Sequence, residues 1–159
     1  MSKRKTKLNK TLVEKILDQA KIPYESLVFK LGEQQGTDAE YHRVYKTLVL
    51  HGDKTGPLVG VIPIDQHLDE RKLAQASGNK RVRMLPLKEL EKTTGYVHGA
   101  NTPVGIHERH DFPIYFDQQA TQEADIAVSA GKLGRSIKVE PTALIKFVDG
   151  QVADLVVDP

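Results

Sequence analysis

Apolar and polar positions alternate with two different periods along this chain, and the changes of period mark its elements. Residues 9–20 read as a helix with Leu12, Ile16, Leu17 and Ala20 on one face, and Thr11 and Glu14 stand at capping-box spacing. Pro23 ends that helix, and residues 24–29 read as a strand. Residues 32–36 form a polar, Gln-rich loop, and Thr37 or Asp38 could cap a short helical turn running to Arg43. The run Val44-Tyr45-Lys46-Thr47-Leu48-Val49-Leu50 is a strand closed by Gly52 and Asp53. Gly52, Asp53, Gly56 and Pro57 give hairpin chemistry, so residues 58–64 form an antiparallel partner.

Further on, Asp65 or Asp69 opens a helix through Ala76 that Gly78-Asn79 closes. Residues 82–85 form a short strand, and Pro86 begins a helix to about Lys92. Residues 93–105 read as loop. Residues 113–116 and 124–129 read as strands, the second broken by Gly131 and Gly134; residues 136–139 are short and extended. Pro141 opens a last helix through Phe147, Asp149-Gly150 is a turn, and residues 151–157 make a final strand. This irregular interleaving predicts an α/β (α+β-like) chain: a mixed, mostly antiparallel sheet with packed helices.

Lys46 is the position that does not fit its surroundings. Alternation puts it on one face with Val44, Leu48 and Leu50, while Tyr45, Thr47 and Val49 take the other. An ammonium among aliphatic side chains needs an anion, an acceptor or water. Two readings follow: a lysine that snorkels into solvent, or one at the floor of a pocket that receives an anionic ligand.

Composition narrows the classes. The chain has 159 residues, of which 39% are hydrophobic and 28% charged, enough for one domain with a proper core. We expect a basic arm over residues 1–8 and a single domain over 9–159. No apolar run approaches a membrane span, and the charged N-terminus has no apolar segment after it, so the chain does not read as secreted or membrane-bound. No cysteine is present, which removes disulfides, thiolate metal sites and a cysteine nucleophile and makes the cytoplasm the expected compartment. A net charge of +2 does not by itself mark a nucleic-acid binder. Its distribution is more suggestive, with one basic cluster at Lys3, Arg4, Lys5, Lys7 and Lys10 and another at Lys80, Arg81, Arg83 and Lys88. Such clusters suit phosphate contacts or simple solubilising surfaces.

Two segments are rich in glycine: Thr93 to Gly105, reading TTGYVHGANTPVG, and Val128 to Gly134, reading VSAGKLG. Glycine permits close approach of backbone to a ligand, although ordinary tight turns use it as well. Neither segment fits a P-loop or a dinucleotide fingerprint. His107-Glu108-Arg109-His110-Asp111 raises a metal reading, but its spacing is not that of a zinc-protease helix, and we expect no metal and no cofactor. Ser129, His98 and Asp125 supply the residue types of a hydrolytic triad without a nucleophile elbow.

Lys46 in VYKTLVL, the TTGYVHGANTPVG loop and VSAGKLG, in that order and spacing, resemble the YbaK/EbsC family over nearly the whole chain from about Lys7. The segment Leu68 to Gly78 is similar as well. The resemblance implies the YbaK/aminoacyl-tRNA synthetase-associated domain fold, related to the editing domain inserted in bacterial prolyl-tRNA synthetases. It implies trans-editing hydrolysis of Cys-tRNA(Pro), and of Cys-tRNA(Cys) too. Partners implied are the aminoacyl-tRNA acceptor end and prolyl-tRNA synthetase. It assigns Lys46 to the catalytic position, meeting the anionic backbone of the acceptor end. Thr47, Gly99, Ala100, Asn101, Thr102, Ser129 and Gly131 would bind substrate. The chain departs from the family pattern where Ala100 replaces a glycine, Thr102 a serine, and Ala130 interrupts Ser-Gly-Gly-Lys. The Gln34-Gln35-Gly36 loop lacks an aromatic found in some members.

Ester hydrolysis ordinarily needs a nucleophile, a base and an oxyanion stabiliser. No side chain here is a convincing nucleophile. The family implies substrate assistance, in which the cysteine thiol attacks its own ester, and orientation by backbone N–H groups then suffices. Two alternatives stay open: a deacylase for another small residue such as Ala-tRNA(Pro), and a non-catalytic tRNA- or synthetase-binding module.

Overall fold

The structure is a computed structural model that describes residues 9–29 and 43–159. The polar loop at 32–36, the capped turn from Thr37 or Asp38, the Gln34-Gln35-Gly36 segment and the basic arm lie outside the described residues. Helix α1 (Leu12–Ala20) leads into strand β1 (Tyr24–Val28). Strands β2 (Tyr45–Gly52) and β3 (Gly56–Pro63) form a hairpin, followed by helix α2 (Glu70–Ser77), strand β4 (Val82–Met84) and helix α3 (Leu87–Thr94). Helix α4 (Pro103–Arg109), strand β5 (Ile114–Asp117) and a 3-10 turn (Gln118–Gln122) come next. Strands β6 (Ile126–Lys132) and β7 (Arg135–Val139), helix α5 (Pro141–Phe147) and strand β8 (Gln151–Ala153) complete the chain.

The strands make a three-stranded sheet in the order β1-β7-β6 and a five-stranded sheet in the order β4-β2-β3-β5-β8. Pairs β1–β7, β2–β3, β2–β4 and β6–β7 are antiparallel, whereas β3–β5 and β5–β8 are parallel. The sheets meet at one parallel bridge, Val44 to Ala127, where the Ala127 N–H donates to the Arg43 carbonyl at 2.9 Å. The mixed, mostly antiparallel architecture is the expected one.

Strand β2 divides its side chains between two cores. Tyr45 and Val49 pack with Val13 and Leu17 of α1, Val104 and Ile106 of α4, Val128, Ile137 and Leu144. Leu50 packs instead with Leu58, Ile62, Leu73 of α2 and Leu155. The period-2 reading of this strand therefore holds, and each face has its own apolar partner.

Several elements differ from expectation, each for a local reason. Helix α1 buries Val13, Glu14 and Leu17, and Leu12 from the predicted face is half exposed. The helix turns because Glu14 carries the capping box with Thr11 and also receives Ser26 Oγ at 2.6 Å and Arg135 at 3.0 Å. The segment read as loop through Gly105 is helical from Pro103, which occupies the first turn where its missing N–H costs nothing. Strand β6 starts at Ile126 and is not broken at Gly131. A register shift between Ser129 and Lys132 absorbs that residue as a bulge, with φ +95°. Strand β8 ends at Ala153 because the chain turns away to donate Leu155 N–H to Asp117 Oδ1 at 2.9 Å, leaving only a bridge at Val156.

Candidate active site

The site is a consequence of one short strand. Strand β4 covers only Leu50, His51 and Gly52 of β2, so the first half of β2 has no strand beside it on that side. Val44 O accepts from Ile64 in the direction of β3, whereas Val49 O accepts from Leu85 on the opposite side. Alternation along an antiparallel ladder then points the N–H and C=O of Thr47 away from β3 and into the gap. A cavity of about 410 Å³ fills that gap, within the range of small-molecule sites. Because the cavity meets β2 edge-on, residues from both faces of the strand border it, including Lys46 and Thr47.

Among the described residues, most of the wall comes from four places, with Phe29 and Ile64 added from the ends of β1 and β3. β2 supplies Lys46, Thr47 and Leu48; the β4–α3 segment supplies Met84, Leu85 and Leu87; the loop before α4 supplies His98, Gly99 and Asn101; the β6–β7 hairpin supplies Ser129, Leu133 and Arg135. Lys46 stands opposite Ile62 and is half-buried. Burial pulls its amine below the ordinary lysine range, and Asp65 offsets part of that effect. Among the described residues no carboxylate comes within ion-pairing distance of its ammonium.

The glycine loop is braced rather than loose. Ser129 Oγ donates to the Ala100 carbonyl at 3.0 Å and accepts from Gly131 N–H at 3.1 Å. Ala100 N–H donates to Val97 O at 2.9 Å. Gly99 holds φ +90°, and a Cβ there would sit 3.1 Å from Leu133 across the cavity mouth. Gly105 lets Tyr96 pack against the start of α4, where any Cβ would collide with the Tyr96 ring and hydroxyl. The Arg109 guanidinium lies over that ring, 4.7 Å from its centre. Two polar atoms of cavity-lining residues, Thr47 Oγ1 and Asn101 Oδ1, are buried without a hydrogen-bond partner among the described residues.

The geometry alone describes a concave, mainly aliphatic site with two cations, Lys46 and an Arg135 already paired with Glu14, several glycine-loop groups and, among the described residues, no paired nucleophile and base. Ser129 and His98 both border the cavity, but no triad is assembled. The Ser129 hydroxyl is committed to Ala100, and Asp125 pairs with Arg43 at 3.6 Å. His110 stacks on Phe112 and its Nε2 lies 3.1 Å from Thr94 O, so it serves the end of α3. His107 leans on Phe147.

Residues 30–147 match the family model for the aminoacyl-tRNA editing domain. The chain belongs to the aminoacyl-tRNA editing domain family. This editing domain is 43% identical to EbsC of Enterococcus faecalis, provisionally named a Cys-tRNA(Pro)/Cys-tRNA(Cys) deacylase, over 98% of both chains. Its fold is shared with a crystal structure provisionally assigned as a trans-editing enzyme for prolyl-tRNA synthetase (TM-score 0.72, 22% identity, 85% of this chain and 87% of that one). The hypothetical protein APE2540 has the same fold (TM-score 0.80, 20% identity, 91% of this chain and 99% of that one).

Lys46, Thr47, Gly99, Asn101 and Ser129 of this editing domain all border the one cavity. Ala100 and Thr102 are buried behind the wall, and Gly131 supports Ser129 from the bulge without bordering the cavity. Ala130 is likewise fully buried. The added methyl groups of Ala100 and Ala130 thus lie behind the wall and do not narrow the cavity. Met84, Leu85, Leu87, Leu133 and Arg135 are wall residues that the sequence reading did not single out. Their signal was weak, because exposed aliphatic side chains such as Met84, Leu87 and Leu133 are common on any surface.

Proposed function

We propose that this editing domain hydrolyses the ester of cysteinyl-tRNA, with Cys-tRNA(Pro) as the principal substrate and Cys-tRNA(Cys) as a second. The observation that carries the reading is Lys46: a half-buried ammonium, with no ion pair among the described residues, in the wall of a glycine-edged cavity. The sugar–phosphate end of a charged tRNA supplies an anion for this cation. The family membership and the relative's name, over nearly full length, point the same way.

Among the described residues the site has no nucleophile–base pair, and on this reading the substrate supplies its own nucleophile. The thiol sulfur attacks the ester carbonyl and loses its proton. The carbonyl–oxygen bond to the ribose breaks, and that oxygen leaves with a proton as a hydroxyl. The product is a thiolactone, which water opens to free cysteine. The protein holds the acceptor end with Lys46, sets the ester against the edge of β2 at Thr47, and fixes the aminoacyl group with the Gly99–Asn101 loop that Ser129 braces. This chemistry uses no cofactor or metal. The acceptor end of aminoacyl-tRNA is then the binding partner and prolyl-tRNA synthetase the donor of mischarged substrate. We read residues 1–8 as a basic arm and residues 9–159 as a single domain, with the cytoplasm as the place of action.

Incubation with labelled Cys-tRNA(Pro), Ala-tRNA(Pro) and Cys-tRNA(Cys) tests the reading. We expect loss of cysteine from both cysteinyl substrates and little from Ala-tRNA(Pro). Lys46→Ala should lower the rate strongly. Rapid release of alanine would replace the thiol mechanism. Turnover of no substrate would make the domain a binding module, and a wild-type rate in Lys46→Ala would remove that lysine from the mechanism.

A further inference from the structure

Asn101 has an atom that the fold does not use. The residue is 5% exposed and borders the cavity. Its Nδ2 donates to Val97 O at 3.4 Å, which fixes the orientation of the amide, since the reverse orientation would set two oxygens against each other. Its Oδ1 is then left buried with no donor among the described residues. The side chain is also held from behind, because Ser129 Oγ grips the carbonyl of the preceding residue, Ala100. A buried acceptor without a donor is costly to the empty protein, and on a residue that borders a cavity a small side-chain shift on binding would bring it to a donor on the occupant. Thr47 Oγ1, on another wall of the same cavity, is in the same condition.

We propose that Asn101 Oδ1 accepts a hydrogen bond from the α-amino group of the esterified amino acid, with Thr47 Oγ1 as a second acceptor, so that the site selects esters with a free amine. This rests on the deacylase reading above and adds a specificity determinant to it. The occupant's donors are its amine, its thiol and the ribose hydroxyls. The thiol is a weak donor and, in the mechanism above, is consumed as the nucleophile. The ribose belongs to the end that Lys46 holds. The amine remains, and it donates whether charged or neutral. A site built to bond an N–H rejects an analogue that lacks it more sharply than a purely apolar pocket rejects a change of size.

The test compares Cys-tRNA(Pro) with 3-mercaptopropionyl-tRNA(Pro), which keeps the ester and the thiol and lacks only the amine. Each rate is divided by the spontaneous rate of the same ester. Wild-type protein should prefer the cysteinyl ester roughly ten- to a hundredfold, the value of one hydrogen bond to a charged donor. Asn101→Leu should bring that preference close to one by slowing the cysteinyl ester much more than the other. Thr47→Val should reduce it in part. Equal normalised rates in wild-type protein would overturn the inference while leaving the deacylase reading intact, and that comparison needs no variant to fold. A preference that survives Asn101→Leu in a protein with native melting behaviour would also overturn it. Turnover of neither ester would sink the deacylase reading and this inference together.

Discussion

Ser129→Ala separates a structural serine from a catalytic one. The hydroxyl donates to Ala100 O and accepts from Gly131 N–H, so its removal strips one partner from each of two backbone groups on different elements. A buried group left without its partner costs about 1–3 kcal/mol. Ser129 is only half-buried, so water replaces part of the loss and the lower end applies, about 1–2 kcal/mol for the pair. For a chain of this size roughly 2–4 °C of melting temperature corresponds to each kcal/mol, which predicts a drop of roughly 2–8 °C. The brace also sets the Gly99–Asn101 loop against the cavity, so deacylation should fall with it, chiefly through KM. Ser129→Thr keeps the hydroxyl and should recover part of both losses. Thermal melting followed by circular dichroism, alongside single-turnover deacylation, reads the two quantities. A Ser129→Ala protein that melts with wild-type and loses only kcat would refute the brace and make the hydroxyl part of the chemistry.

Other substitutions test the remaining parts of the site. Lys46→Met should abolish most deacylation yet leave the protein at least as stable at pH 7. Burial lowers the folded pKa of Lys46 below its unfolded value, so the charged form is penalised in full at neutral pH. The penalty fades as pH rises through the folded pKa towards the unfolded one, and the Met variant's advantage in melting should shrink over the same alkaline range. A Met variant less stable at pH 7 would contradict the sign. Gly99→Ala combines a left-handed φ with the contact to Leu133, and should cost about 1–2 kcal/mol in urea unfolding. Adding Leu133→Ala should relieve only the contact. Glu14→Ala leaves the Arg135 guanidinium without its carboxylate inside the fold and uncaps α1, a loss of about 3–5 kcal/mol measurable by denaturant titration. A loss below 1 kcal/mol would show that water had already served both groups.

What the sequence made legible was whatever depends on neighbours in the chain. Asp69 and Gly78 bound α2 as a cap and a left-handed stop, and Pro141 opens α5 at the expected residue. The lysine in β2 was visible because period 2 is a local property. The site's glycine loop was visible as composition, but its shape was not. Whether residues 103–109 coil into a helix depends on Tyr96 packing where Gly105 has no side chain, a contact made across nine residues. Nor could the alternation of β2 show that Lys46 and Thr47 would border one cavity. That follows from where β4 stops, which depends on pairing between segments thirty or more residues apart. The bulge at Gly131 reads locally as a break and becomes continuous only with β7 beside it.

The half-flanked β2 has an evolutionary implication. Main-chain amides and carbonyls are carried by every residue type except proline, so no ordinary point mutation deletes those of Thr47. A site that anchors the reacting ester on the peptide unit of a strand can therefore let the surrounding side chains drift. New amino-acid preferences could then arise by exchanging wall residues such as Met84, Leu87 or Leu133 while the chemistry stays in place.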